Sequence, residues 1–327
     1  MERFLLIAIV LLALAGGTIV VCSRWWQGAD SPKHDSGLSR DEAVSLLVTT
    51  AARMGAEVEK DGVEVRAAYS MNSWEDGQRG TRQRISSGRA EIEVNAVTRE
   101  VISYWDNEAI AERTTRRARD AAGVAETLMP MLTAEEAVRL ATEYLHVFRG
   151  PVPGDLELKP CPIFGTKEEP VVFDEETAIW RVTWHRFVEG YPFLGQGVWV
   201  ALDDRTKALI FVKWTATAVV PVVALRIDAE KARNRARRRL DDLLPEVAES
   251  EGRSFEISEC GAPELYIAVP TDYPPITGTR PRRDMVPRLV YALPFTLVSA
   301  RDEKGYHEAW PYTVWVDAGN GRICGGL

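Results

Sequence analysis

The chain is poor in the residues most enzymes use for chemistry. Its 327 residues include four histidines and four cysteines, and neither type clusters. Cys22, Cys161, Cys260 and Cys324 show no Cys-x-x-Cys spacing, which argues against a zinc cluster or a dithiol site and leaves one disulfide open. His34 and His146 stand alone, and His307-Glu308 runs into Ala309-Trp310-Pro311 rather than a second histidine one helical turn on, so it is not a zinc-protease helix. His185 and Arg186 lie near Glu189, a pairing that a general base could use, yet no serine, threonine or cysteine stands in an elbow-like context nearby. We therefore expect no catalytic residue, no cofactor and no metal ligand. A basic excess is also missing. A net charge of −8 argues against general nucleic-acid binding, because neutralising phosphates needs a basic surface and this protein is acidic as a whole. Its two arginine clusters, Arg113 to Arg119 and Arg233 to Arg239, are mixed with acidic residues and alanines in helical stretches and read as solvated helix faces.

What the chain has instead is repetition. One eight-residue pattern occurs three times, at Val94 to Val101, Leu202 to Leu209 and Val316 to Ile323. In each copy Asn95, Asp203 or Asp317 follows the opening apolar residue, Thr98, Thr206 or Asn320 stands three further on, and an apolar residue closes. This predicts two strands joined by a tight turn. The Asn or Asp oxygen would bond turn amides, and Arg99, Lys207 or Gly321 would take the left-handed backbone. The neighbouring carboxylates Asp203 and Asp204 do not suggest calcium, because their repeat equivalents are Asn95-Ala96 and Asp317-Ala318.

An amphipathic helix precedes each copy. Ser39 with Glu42 and Thr133 with Glu136 make capping boxes. Asp228 opens the third, where Lys231 replaces the glutamate. From the shared alanine, Ala43, Ala137 or Ala232, to the turn residue the separations are 52, 66 and 85, so the ends of the unit are kept and its middle loops vary.

Phe4 to Cys22 is a charge-free apolar run long enough to cross a bilayer, followed by Arg24, Trp25 and Trp26 as interface residues. A retained anchor, a signal peptide cleaved after Ala15 and a lipoprotein modified at Cys22 all fit such a segment. The continuation of the run past Ala15 favours the anchor, and Val20-Val21 before the cysteine counts against lipidation. The body of the protein is then expected outside the cytoplasm, periplasmic or extracellular.

The expected organisation is an anchor over 1–27, a linker over 28–37, a first helix-sheet module over 38–107, a connecting helix over 108–131, and further modules over 132–215 and 225–327. In the second module Trp180, Val182 and Trp184 alternate with Arg181, Thr183 and His185, which predicts a strand with one buried and one wet face. The Pro-rich stretch from Pro263 to Pro287 reads as a long surface loop.

Glu135-Glu136-Ala137 opening a helix, the strand Trp180 to Pro192 and the strand pair Val198 to Leu209 resemble the PepSY and YcdB/YcdC-type repeat pattern. Arg288 to Leu293 and Tyr312 to Ile323 are similar in the third module. The departures are Glu189 where that pattern tends to have Asn, Lys207 and Arg99 in place of the turn glycine, and a first unit without the Arg-x-x-Asn-Gly strand. The resemblance implies an α+β fold of tandem cystatin-like modules, each a helix packed on an antiparallel sheet, following the N-terminal transmembrane helix. It also implies an extracytoplasmic location, no catalytic residues, an association with peptidase propeptides, and a capacity for peptidase inhibition.

Ten tryptophans are the remaining feature, most of them expected in cores between helix and sheet. Tyr191-Pro192-Phe193-Leu194-Gly195 reads as a hairpin tip with exposed apolar groups, which either binds a partner or folds back over the core. Tyr191, Phe193 and Leu194, with Arg186 beside them, are the candidate partner-binding residues. The expected function is a membrane-anchored, non-catalytic module that binds or restrains a protein, such as a peptidase, by steric occlusion. The alternative is a structural envelope protein binding wall polymer.

Overall fold

The helix of each module starts where a side chain is available to satisfy its first amides. In the computed structural model, which describes residues 37–71, 80–120, 129–163, 166–216, 219–270, 286–300 and 306–326, Ser39 accepts from the Glu42 amide while Glu42 accepts from the Ser39 amide, and α1 follows over Arg40–Arg53. Helix α2 spans Asn107–Asp120. Thr133 and Glu136 form the same reciprocal pair before α3, Ala134–Arg149. Asp228 accepts from the Lys231 amide at 2.8 Å and opens α4, Ala229–Glu251, which ends on the left-handed Gly252. The shared alanines Ala43, Ala137 and Ala232 are fully buried, which lets each helix lie close on its sheet.

Strands β1 (Glu64–Val65), β2 (Tyr69–Met71), β3 (Gly80–Ser86), β4 (Ala90–Asn95) and β5 (Val101–Asp106) follow α1. Strands β6 (Leu156–Glu157), β9 (Val171–Asp174), β10 (Ile179–Val188), β11 (Tyr191–Asp203) and β12 (Leu209–Trp214) follow α3, with a small hairpin of β7 (Cys161–Ile163) and β8 (Thr166–Glu168) inserted. Strands β13 (Phe255–Cys260), β14 (Glu264–Ala268), β15 (Arg288–Ser299), β16 (Ala309–Asp317) and β17 (Ile323–Gly326) follow α4. The topology is the same three times. Two short strands share one edge of a central strand, the first beside its C-terminal half and the second beside its N-terminal half: β1 and β2 on β3, β6 and β9 on β10, β13 and β14 on β15. The other edge of each central strand pairs with the next strand, which turns back through the repeated pattern into the last.

The three turns are copies at the atomic level. Asn95 accepts from the amides of Val97 and Thr98, Asp203 from Arg205 and Thr206, and Asp317 from Gly319 and Asn320, at 2.7–3.1 Å. Arg99, Lys207 and Gly321 have φ of 63, 62 and 71°. Each ladder slips by one residue at this point, so the closing turn is a type I turn with a bulge.

Modules one and two are joined edge to edge. Strand β5 pairs antiparallel with β12, placing Trp105 opposite Phe211, Tyr104 opposite Val212 and Ser103 opposite Lys213. Counted from the closing turn residues Val101 and Leu209, Tyr104 and Val212 are equivalent positions, so the seam has a local two-fold relation within one chain. One core underlies both helices, with Leu47, Ile92 and Tyr104 from the first module and Leu145, Val182 and Val212 from the second. The third module has its own core beneath α4, built on Leu240, Ile267, Leu293 and Val316. Phe193 of β11 enters that core and registers with Ile267 of β14, so one long strand serves both sheets.

The structure corrects several expectations. The β10–β11 turn is Glu189-Gly190, with φ of 53 and 84° and Val188 paired to Tyr191, so the segment from Tyr191 to Gly195 is strand and not tip. The predicted wet face of β10 is largely closed: Arg181 is exposed, but Thr183 and His185 are buried. Strand β10 has neighbours on both sides, and long side chains roof its end, Lys159 over Phe187 and Arg186 over Phe193. Within the Pro-rich stretch, Glu264–Ala268 is a strand linking two sheets. The apolar run Phe4 to Cys22 lies outside the described residues, among which no helix is long and apolar enough to cross a membrane. Cys161 and Cys324 are buried and in no disulfide, and burial pushes Cys161 up to about 12.

Candidate ligand groove on the helix-free sheet face

Alternation along strands β3, β4, β5 and β12 sends Ile85, Ile92, Tyr104 and Val212 toward the helices, and therefore Arg84, Glu93, Ser103, Trp105, Phe211 and Lys213 to the opposite face. Register places them in two rows across the seam. Arg84, Glu93, Ser103, Lys213 and Trp199 form one, and Glu91, Trp105, Phe211 and Ala201 the other. Between these rows and the segment from Arg66 to Tyr69 lies an open groove of about 620 Å³.

Its floor is rigid. The Arg82 and Glu93 side chains, 2% and 5% exposed as residues, form an ion pair at 3.0 Å, and the Tyr69 hydroxyl donates to the other Glu93 oxygen. Burial, then the Glu93 carboxylate, pushes Tyr69 up to about 12, so it remains a neutral donor. Breaking a buried pair of this kind by removing one partner costs about 3–5 kcal/mol, so Arg82 and Glu93 set the shape of the floor. The rings of Trp105 and Phe211 pack across the seam with centroids 5.0 Å apart and planes tilted by 36°. The Arg84 guanidinium stands 5.8 Å from the Trp105 ring centre, and its Nε lies 3.3 Å from Glu91. Lys213 Nζ lies 5.7 Å from the Trp199 ring centre. Ser103 is completely buried, and its hydroxyl meets no hydrogen-bond partner among the described residues.

Four cations thus line the groove, Arg66, Arg82, Arg84 and Lys213, and Glu93 is the lining carboxylate. Two of them, Arg84 and Lys213, each stand over an aromatic ring, and such a surface can hold an anion. No group of three potential metal ligands occurs among the described residues.

No family model and no curated protein matches the chain. The solved YpeB C-terminal domain of Bacillus megaterium is similar over 89% of this chain and 97% of that one, at 10% identity with a TM-score of 0.32. At that score the likeness carries no argument about the site.

The candidate residues expected from the sequence lie elsewhere. Arg186 is buried, with its Nε 2.7 Å from an Asp155 carboxylate oxygen and its guanidinium 5.3 Å from the centre of the Phe193 ring. Phe193 and Leu194 are 4% and 5% exposed, and they point into two different clusters. Tyr191 is half-buried against the third core. Arg186 and Phe193 are brought together, but as packing between modules. The groove residues were missed. Alternation of Arg82 and Arg84 with Gln83 and Ile85 was the available signal, but no local pattern says that β5 and β12 meet.

A second missed residue is Asp204. Buried at 2% exposure, it accepts from the Met131 and Leu132 amides and from Trp180 Nε1 at 2.8–3.1 Å, and so pins the segment entering α3. The first module solves the same problem with Gln83, whose side-chain oxygen accepts from the Leu38 amide. The third uses the Tyr291 hydroxyl, which donates to the Ile227 carbonyl. Gln83, Trp180 and Tyr291 hold the same register position, opposite Val94, Leu202 and Val316.

Proposed function

We propose that the protein is a non-catalytic binding module whose ligand occupies the groove over the β5–β12 seam. The observation that carries this reading is the groove itself, a preformed floor in which Arg82, Glu93 and Tyr69 hold one another while Arg84 and Lys213 stand at its walls. A floor that is ordered before the ligand arrives spares the cost of ordering it on binding. The resemblance of the Glu135 to Ala137, Trp180 to Pro192 and Val198 to Leu209 segments to the PepSY pattern supports a protein partner. A peptidase restrained by occupancy of its cleft is the partner class it implies. The apolar run Phe4 to Cys22 supports a membrane-anchored protein with its body outside the cytoplasm.

Site-specific crosslinking tests this. A photoreactive residue at Arg66, on the rim of the groove, should trap a protein partner in the membrane fraction, and the same probe at Arg139, exposed on α3, should not. Recovery of wall polymer in place of protein would favour the envelope-scaffold alternative. Equal trapping at both positions would overturn the groove as the site.

A further inference from the structure

We propose that the exposed surface of α4 pairs antiparallel with the same surface of a second copy of this chain. The proposal goes beyond the groove and does not depend on it. Burial of Ala232, Ala236, Leu240 and Leu243 fixes which side of α4 lies on the sheet of the third module. The remaining surface of the helix is sorted by charge. Lys231 to Arg239 holds six cations and no carboxylate, and Asp241 to Glu251 holds five carboxylates and no cation. One stripe runs the length of that surface. Lys231, Arg235, Arg238, Asp242, Glu246 and Glu249 follow at steps of four, three, four, four and three residues, the spacing of a single helix face, and all six are exposed. The stripe inverts its sign about its middle. Lys231 and Glu249 lie nine residues either side of Leu240, Arg238 and Asp242 lie two either side, and Arg235 and Glu246 lie five and six away.

The helix gains little from this arrangement by itself. Its last turn carries Glu249 and Glu251 without a basic residue, where the macrodipole favours cations. Its own i,i+4 pair, Arg237 with Asp241, runs with the cation first, which is the less favourable order. The charges in the middle of the stripe are open to a partner. Arg235 donates to the Asn320 carbonyl at 2.9 Å, a bond that leaves its charge unneutralised. The side chains of Arg238, Asp242 and Glu246 make no ion pair or hydrogen bond among the described residues. Lys231 already meets Asp228 at 3.0 Å, so the four central residues carry the argument. A partner that answers them must present two carboxylates and then two cations at matching intervals. An antiparallel second copy does so about a two-fold axis at the level of Leu240, with Arg238 facing Asp242 and Arg235 facing Glu246 of the second copy, each contact made twice. Exposed ion pairs are individually weak, so the dimer is weak, sensitive to salt and specific in its register.

The test is a charge swap in the full chain in non-ionic detergent, read by energy transfer between copies that carry donor and acceptor dyes on an N-terminal tag. The acidic variant is Arg235→Glu with Arg238→Glu, and the basic variant is Asp242→Arg with Glu246→Arg. The parent should self-associate at concentrations on the order of 100 μM at low salt, and about 0.5 M salt should weaken this about tenfold or more. Each variant alone should associate about tenfold more weakly or worse, with a melting temperature close to the parent. The two variants mixed should associate at least as tightly as the parent, because an all-acidic stripe then meets an all-basic one. If either variant melts early, Arg238→Gln and Asp242→Asn, which remove charge without reversing it, should each weaken association several-fold, and no change in both overturns the proposal. Transfer equal to the parent's in either variant alone overturns it, as does a mixture no better than its components. A parent without transfer at low salt overturns it too, and none of these results touches crosslinking from Arg66, so the groove reading stands or falls separately.

Discussion

Tyr104 stands directly opposite Val212 across the β5–β12 seam, and the two occupy equivalent positions in their modules, each three residues after the apolar residue that closes the turn. Both are fully buried in a core that the first two modules share. A seam through equivalent edge strands removes two exposed edges at once and gives the groove its continuous floor.

Truncation at this seam should therefore unfold both modules together. Tyr104→Ala is expected to cost about 4 kcal/mol, and calorimetry should show the loss in one transition covering modules one and two. Tyr104→Phe should be nearly neutral, because the buried hydroxyl bonds nothing among the described residues and its removal leaves no group unpaired. A large loss in the phenylalanine variant would mean that the hydroxyl has a partner.

Asp203 and Asp204 are neighbours with different duties, and their alanine variants should separate them. Asp204→Ala leaves the Met131 and Leu132 amides and the Trp180 indole without their acceptor, and is expected to cost about 3 kcal/mol in urea denaturation. Asn95→Ala removes turn bonds at an exposed site and should cost about 1 kcal/mol. Asp203→Ala should fall between them, since its second oxygen holds Arg116 of α2 at 2.6 Å in addition to the turn. Equal costs at all three positions would show that the tether to α3 contributes nothing.

Burial holds the His185 ring at a pKa of about 4, below its ordinary 6.5, and its Nε2 has no partner among the described residues. Above pH 6.5 the ring is neutral whether the chain is folded or not, so its titration contributes nothing there. As pH falls below 6.5 the unfolded chain takes up a proton that the folded chain cannot. Stability should then drop down to about pH 4, by roughly 3 kcal/mol in all. Urea denaturation at pH 7.5 and pH 4.5 should show this loss in the parent, and His185→Leu should remove most of it. An unchanged pH slope in that variant would assign the acid sensitivity to other groups.

Phe193 ties β11 into the core of the third module. Phe193→Ser is expected to lower the melting temperature by about 10 °C, from a loss of about 3–4 kcal/mol. It should leave partner crosslinking at the groove unchanged wherever the protein is folded. A stable Phe193→Ser protein that has lost its ligand would return this strand to the candidate sites.

The helix caps, the three bulged turns and the shared buried alanines were legible in the sequence, and the reason is range. Ser39 with Glu42, Thr133 with Glu136, and Asp203 with the Arg205 and Thr206 amides are bonds made within three residues, so side-chain type and spacing determine them wherever the chain later goes. The Glu189-Gly190 turn was missed because glutamate does not announce a left-handed position as asparagine does, and the displaced turn made the buried strand Tyr191 to Leu194 read as an exposed tip. Only the tertiary structure decided that the edge strands of two modules meet, that His185 and Arg186 are enclosed, and that Arg66, Arg84, Trp105, Phe211 and Lys213 share one groove. Those relations join residues a whole module apart in the chain. Register and burial set them only after the sheets have formed, because alternation along a strand says that a side chain faces away from the helix and does not say what lies beside it.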